Sequence, residues 1–176
     1  MKELLIKLKA CEAAREWAGD KSWPEIFATC HRGDWLLWLF YHTAGDKRLL
    51  TLAKGHCANT VRHLMKDERS VNAVDVAIRY GNGEATQEEL RAASAAAYAA
   101  ASVAAYAAAS VAAYAAADAD AYAAAYAAAY AAAYAAADAD AATKENQQIT
   151  AYICRKYLPI EVWNITESGQ LITKNQ

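Results

Sequence analysis

The chain has 176 residues, a mass of 19.0 kDa and a formal net charge of -2, with 22% charged and 56% hydrophobic residues. That length suits one domain with a real core, and the charge balance excludes the basic footprint expected of a nucleic-acid binder. Cys11, Cys30, Cys57 and Cys154 contain no C-x-x-C pair, which excludes a zinc ribbon and a thioredoxin-like motif.

Met1 to Ala10 mixes Lys2, Lys7 and Lys9 with leucines and has no uninterrupted apolar core, so no secretory signal is expected. The cysteines are accordingly expected to be reduced, mostly buried hydrophobes of a cytoplasmic protein. Leu4, Leu5, Leu8, Cys11 and Trp17 recur at helical spacing, and Gly19 stops them, predicting one first helix. Ser22 and Glu25 form a capping-box pattern with Pro24 in the first turn, predicting a second helix from about Trp23 to Cys30.

Gly33 and Asp34 are expected to break the chain before the run Trp35 to Tyr41, which is apolar on every side and reads as a central buried helix closed by Gly45. A fourth helix carries Leu49, Leu50, Leu52, Ala53, Cys57, Val61 and Leu64 on one inward stripe. Ser70 is placed as the cap of a fifth, which ends near Tyr80 with Gly81 and Gly83 in the turn. Thr86 and Glu89 repeat the capping-box pattern and open the next helix.

Residues 92–141 are almost entirely alanine and tyrosine, without glycine, proline or a basic residue, and should be helical nearly regardless of context. Alanine is too weakly apolar, and the aspartates too frequent, for this stretch to span a membrane. Tyr98, Tyr106, Tyr114 and Tyr122 are eight apart, and Tyr126, Tyr130 and Tyr134 four apart. A step of four overshoots one turn by about 40°, so the rings would wind round a continuous helix about 75 Å long with no single face to bury. Breaks are therefore placed at Asp118-Ala119-Asp120 and Asp138-Ala139-Asp140, because aspartate is a strong N-cap. The predicted helices are Thr86 to Ala117, Ala121 to Ala137 and Ala141 to Tyr157.

No segment shows the period of two that a strand requires. The expected architecture is an all-α, single-domain multi-helix bundle over 1–158, in which an alanine/tyrosine-rich helical hairpin packs on an aromatic-rich N-terminal half, 1–91. Residues 142–158 form the last helix and 159–176 a C-terminal tail, docked or free as an interaction arm. Trp17, Trp23, Trp35 and Trp38 are expected to carry much of the core.

Catalytic, cofactor and metal residues are all read as none. Cys30-His31 and His56-Cys57 have the residue types of a zinc site, but neighbours on a helix point about 100° apart. His42, His56 and His63 have no carboxylate, serine or glycine-rich loop at a recognisable spacing. Asp118, Asp120, Asp138 and Asp140 are the candidate partner-binding residues, since a capping aspartate stays exposed at a helix end.

Cys11, Trp17 and Trp23, then Cys30-x-Arg32-x-Asp34-Trp35-Leu36-Leu37-Trp38-Leu39 and Cys57-x-x-x-Val61-x-His63-Leu64, resemble the immunity-protein-5-like family of bacterial immunity proteins. Gly83-Glu84-x-Thr86-x-Glu88-Glu89-Leu90 before an alanine-rich region extends the resemblance over roughly residues 5 to 158. It implies a cytoplasmic protein that binds and neutralises a cognate toxin of a polymorphic toxin system, without catalysis. The sequence also suits a structural or self-associating helical protein whose alanine and tyrosine faces pack between subunits, or a small-molecule binder or enzyme that uses its histidines and tryptophans in a pocket between helices.

Overall fold

A computed structural model describes residues 1–43, 45–104 and 139–172, with the backbone alone for 98–104 and 139–143. The described residues form an all-α multi-helix bundle. Numbered among them, the helices are α1 (Lys2–Lys7), α2 (Glu12–Ala18), α3 (Trp23–Thr29), α4 (Gly33–Thr43), α5 (Lys47–Asn59), α6 (Glu68–Asn82), α7 (Gln87–Ala104) and α8 (Ala139–Tyr157). Short 3-10 turns cover Arg62–Leu64 and Ile160–Val162. No described helix is long and apolar enough to cross a membrane.

The predicted first helix is two. Lys9 takes φ 60°, Ala10 N–H donates to the Leu5 carbonyl at 2.9 Å, and Lys9 N–H donates to that of Ile6 at 3.0 Å. This pair of bonds is a Schellman ending, usually marked by glycine, and lysine in its place hides the stop from sequence reading. The Ser22–Glu25 capping box is formed in full, with Ser22 N–H donating to Glu25 Oε2 at 2.8 Å. So is that of Thr86 and Glu89, where Thr86 N–H donates at 2.7 Å and receives at Oγ1 from Glu89 N–H at 3.1 Å.

Gly33 and Asp34 do not precede the central helix but form its first turn. A side chain at Gly33 would place Cβ 2.4 Å from Thr150 Oγ1, so glycine here lets α8 lie against the start of α4. Asp67, and not Ser70, caps α6, and Gly81 lies inside that helix and not in the turn after it, at a place where a Cβ would meet Leu52 Cβ of α5 at 2.4 Å. Leu64 leaves the inward stripe, since α5 ends at Asn59 and the 3-10 turn leaves this side chain 47% exposed.

α8 packs across α4 and α5, α6 packs on α5, and α7 on α6. The main core joins Leu4 and Leu5 of α1, Trp23 and Ile26 of α3, Phe40 of α4, Ala53 and Cys57 of α5 and Cys154 of α8. A smaller core, Val76, Tyr80, Leu90 and Ala93, seals α6 to α7. Arg48 ties the layers by donating from Nη1 to the Tyr80 carbonyl at 2.9 Å while its guanidinium lies 4.6 Å from that ring.

The tail docks. Trp163, 3% exposed, packs against Trp23 with the rings tilted by 49° at 4.7 Å and meets Phe40 edge-on at 4.9 Å, and its indole N–H donates to the Leu158 carbonyl at 2.9 Å. Of the four tryptophans expected in the core, Trp23 is inside it, whereas Trp17, Trp35 and Trp38 are only partly buried against it. α8 ends at Tyr157, as expected, and starts two residues before the predicted Ala141. Predicted breaks and helices falling within 105–138 lie outside the described residues.

Candidate functional site

The three partly buried tryptophans surround a cavity of about 390 Å³ between the α1–α2 connection, α2 and α4. Local geometry explains why they are left there. α4 turns Leu36, Leu37, Leu39 and Phe40 to the core, so Trp35 and Trp38 fall on its opposite side. The Schellman ending of α1 then swings α2 across that side and brings Trp17 to within 6.0 Å of Trp35.

His31 completes an aromatic group, 5.9 Å from Trp17 and 6.5 Å from Trp35. Two cations lie on its faces, Arg32 at 4.6 Å from the Trp35 ring and Lys21 at 4.7 Å from Trp17. Arg32 is fixed by Asp34, with Nε donating to Oδ1 at 2.8 Å and Nη2 to Oδ2. That bond raises the guanidinium above its usual range, against the opposing effect of burial. The side chains of Arg32 and Asp34 keep 30% and 14% exposure, so the pair belongs to the rim.

Deeper in the cavity, the lining includes Ile26, Cys30, Leu36 and Lys54. Lys54 is 2% exposed, and its ammonium lies 5.8 Å from the Tyr41 ring. Burial pushes the Cys30 thiol up, and its Sγ approaches the Arg32 carbonyl at 3.5 Å. Cys154 is likewise pushed well up by burial and by its Cys57 neighbour. Buried neutral thiols of this kind are poor nucleophiles. All four cysteines are free thiols, with Cys11 exposed at the cavity rim.

The histidines stay apart. His42 shares a hydrogen bond of 2.7 Å with the Trp38 carbonyl, and His56 stacks on Tyr157 at 4.0 Å, where burial and then Lys156 lower its pKa. The paired residues of the zinc-like motifs diverge, since Cys57 Sγ faces the Thr150 carbonyl at 3.9 Å. Among the described residues no three His, Cys, Asp or Glu side chains gather as a metal site.

Of the four candidate partner-binding aspartates, Asp118, Asp120 and Asp138 lie outside the described residues. Asp140 stands in the first turn of α8 and not in a break ahead of it; its side chain also lies outside them. Sequence reasoning assigned the tryptophans to the core and passed over Lys54 altogether. The available signal was a lone lysine between Ala53 and Gly55 on an otherwise buried helix segment. No family model matches the chain, and no match to it is found among the curated proteins or the solved structures.

Proposed function

We propose that this chain is an immunity-type interaction protein, which acts in the cytoplasm by binding a cognate bacterial toxin and neutralising it through protein–protein contact, without catalysis. The observation that carries this reading is the rim formed by Trp17, His31, Arg32 and Trp35. Interface hot spots are enriched in tryptophan and arginine placed round a preformed depression, and these side chains are held by ring contacts and by Asp34 before any partner arrives. Pre-ordering reduces the entropy lost on association. The resemblance of the Cys30 to Leu39 run to immunity proteins supports the same reading, because that run supplies most of the rim.

Co-expression with the toxin encoded immediately upstream is expected to restore growth, and titration of the two proteins to give a one-to-one complex. Arg32→Ala, with the melting curve recorded beside it, should weaken that complex by about 30-fold, the scale of a hot-spot residue. Absence of both rescue and complex refutes the proposal.

A further inference from the structure

We infer that the cavity beneath this rim is a binding site for a small, flat, neutral aromatic molecule. This inference does not depend on the toxin reading. It rests on the depth of the cavity, the indole rings in its wall and the way each charge in the described lining is already held.

At about 390 Å³ the cavity falls within the range of small-molecule sites. Its lining reaches Ile26, Cys30, Leu36 and Leu37, none more than 5% exposed, so an occupant is taken below the protein surface. Trp17, Trp35 and Trp38 share the wall, the first two with ring centroids 6.0 Å apart and planes inclined at 56°. Ring contacts of this kind favour a flat aromatic over a saturated body of the same size.

Charge selects against ions of either sign. The charged side chains of the described lining are Lys9, Arg32, Asp34 and Lys54. Arg32 and Asp34 satisfy one another through two hydrogen bonds, and their charges cancel. Lys9 is exposed, so water and salt screen it. The ammonium of Lys54 is enclosed and engaged within the protein, so what this residue adds to the wall is not its charge. Burial keeps the Cys30 thiol neutral. An entering anion or cation would lose its hydration without gaining a partner, whereas a neutral ring gives up little and gains the indoles.

1-Naphthaleneacetamide, 1-naphthaleneacetate and 1-naphthylmethylamine share one ring system and are neutral, anionic and cationic near neutral pH. Titrating each into the full chain by calorimetry isolates the effect of charge, and the decahydro analogue of the amide isolates the effect of flat rings. The amide is expected to bind saturably at one site, about ten-fold tighter than either ion. It should also bind about five-fold tighter than its saturated analogue. Ala14→Phe adds a ring to the lining and should abolish amide binding while the melting temperature holds. Bound amide should slow alkylation of Cys11 by iodoacetamide, since Cys11 is the exposed thiol of the rim.

An ion or the saturated analogue binding as tightly as the amide would overturn the inference, as would amide binding that survives Ala14→Phe or leaves Cys11 alkylation unchanged. If Ala14→Phe does not fold, protection of Cys11 decides the location. No saturable amide binding, with Cys11 protected only in the toxin complex, would assign the cavity to a side chain of the partner and equally overturn it. Toxin binding can fail while amide binding stands, so the two proposals are separable.

Discussion

At the residue scale, burial separates tryptophans that the sequence presents as equals. Trp163 is enclosed by Trp23, Phe27 and Phe40, and its indole N–H is satisfied by the Leu158 carbonyl. Trp163→Ala should therefore cost about 3–5 kcal/mol in chemical denaturation, the range for a truncated core aromatic. Trp38 keeps one side on the cavity and should cost only about 1–2 kcal/mol on the same substitution, in proportion to the apolar area it covers. Equal losses would contradict the burial difference. Lys9 offers the opposite sign. Its left-handed backbone strains any side chain with a Cβ, so Lys9→Gly should raise stability by about 1 kcal/mol in a urea titration.

At the element scale, close approach decides the positions of glycines. Gly81→Ala would raise the helix propensity of α6, yet its methyl would stand 2.4 Å from Leu52 Cβ and force α6 off α5. Overpacking should win, with a loss of about 1–3 kcal/mol measured by thermal unfolding; a stabilised variant would mean that the two helices separate freely. Capping followed the opposite logic and was legible in advance. Ser22 with Glu25 and Thr86 with Glu89 act within one turn, so sequence spacing alone contains their geometry. Asp67 took the role expected of Ser70 because its carboxylate accepts from Arg69 N–H at 2.8 Å and also holds the Arg69 side chain.

At the scale of the whole molecule, His56 links α5 to the end of α8 by its stack on Tyr157. Burial, and secondarily Lys156, keep this imidazole below its ordinary range, so the unfolded chain binds the proton first as pH falls. Stability should then decline as pH drops below about 6.5, the unfolded value, and level off once the folded imidazole is also protonated. His56→Gln should flatten that part of a stability–pH profile, and an unchanged slope would assign the effect elsewhere.

Composition and local spacing determined by themselves that the protein is helical and where several helices begin. Alanine preference and capping bonds act over a few residues, and no distant partner is needed to evaluate them. The candidate site was not legible in that way. Trp17, Arg32, Trp35 and Lys54 come from α2, the connection before α4, α4 itself and α5, and meet only after the turn at Lys9 has redirected α2. Whether a tryptophan faces the core or a cavity, and whether a tail docks, depends on which surfaces remain uncovered once the helices have packed. Only the tertiary structure decided that, because burial is a property of neighbours distant in the chain.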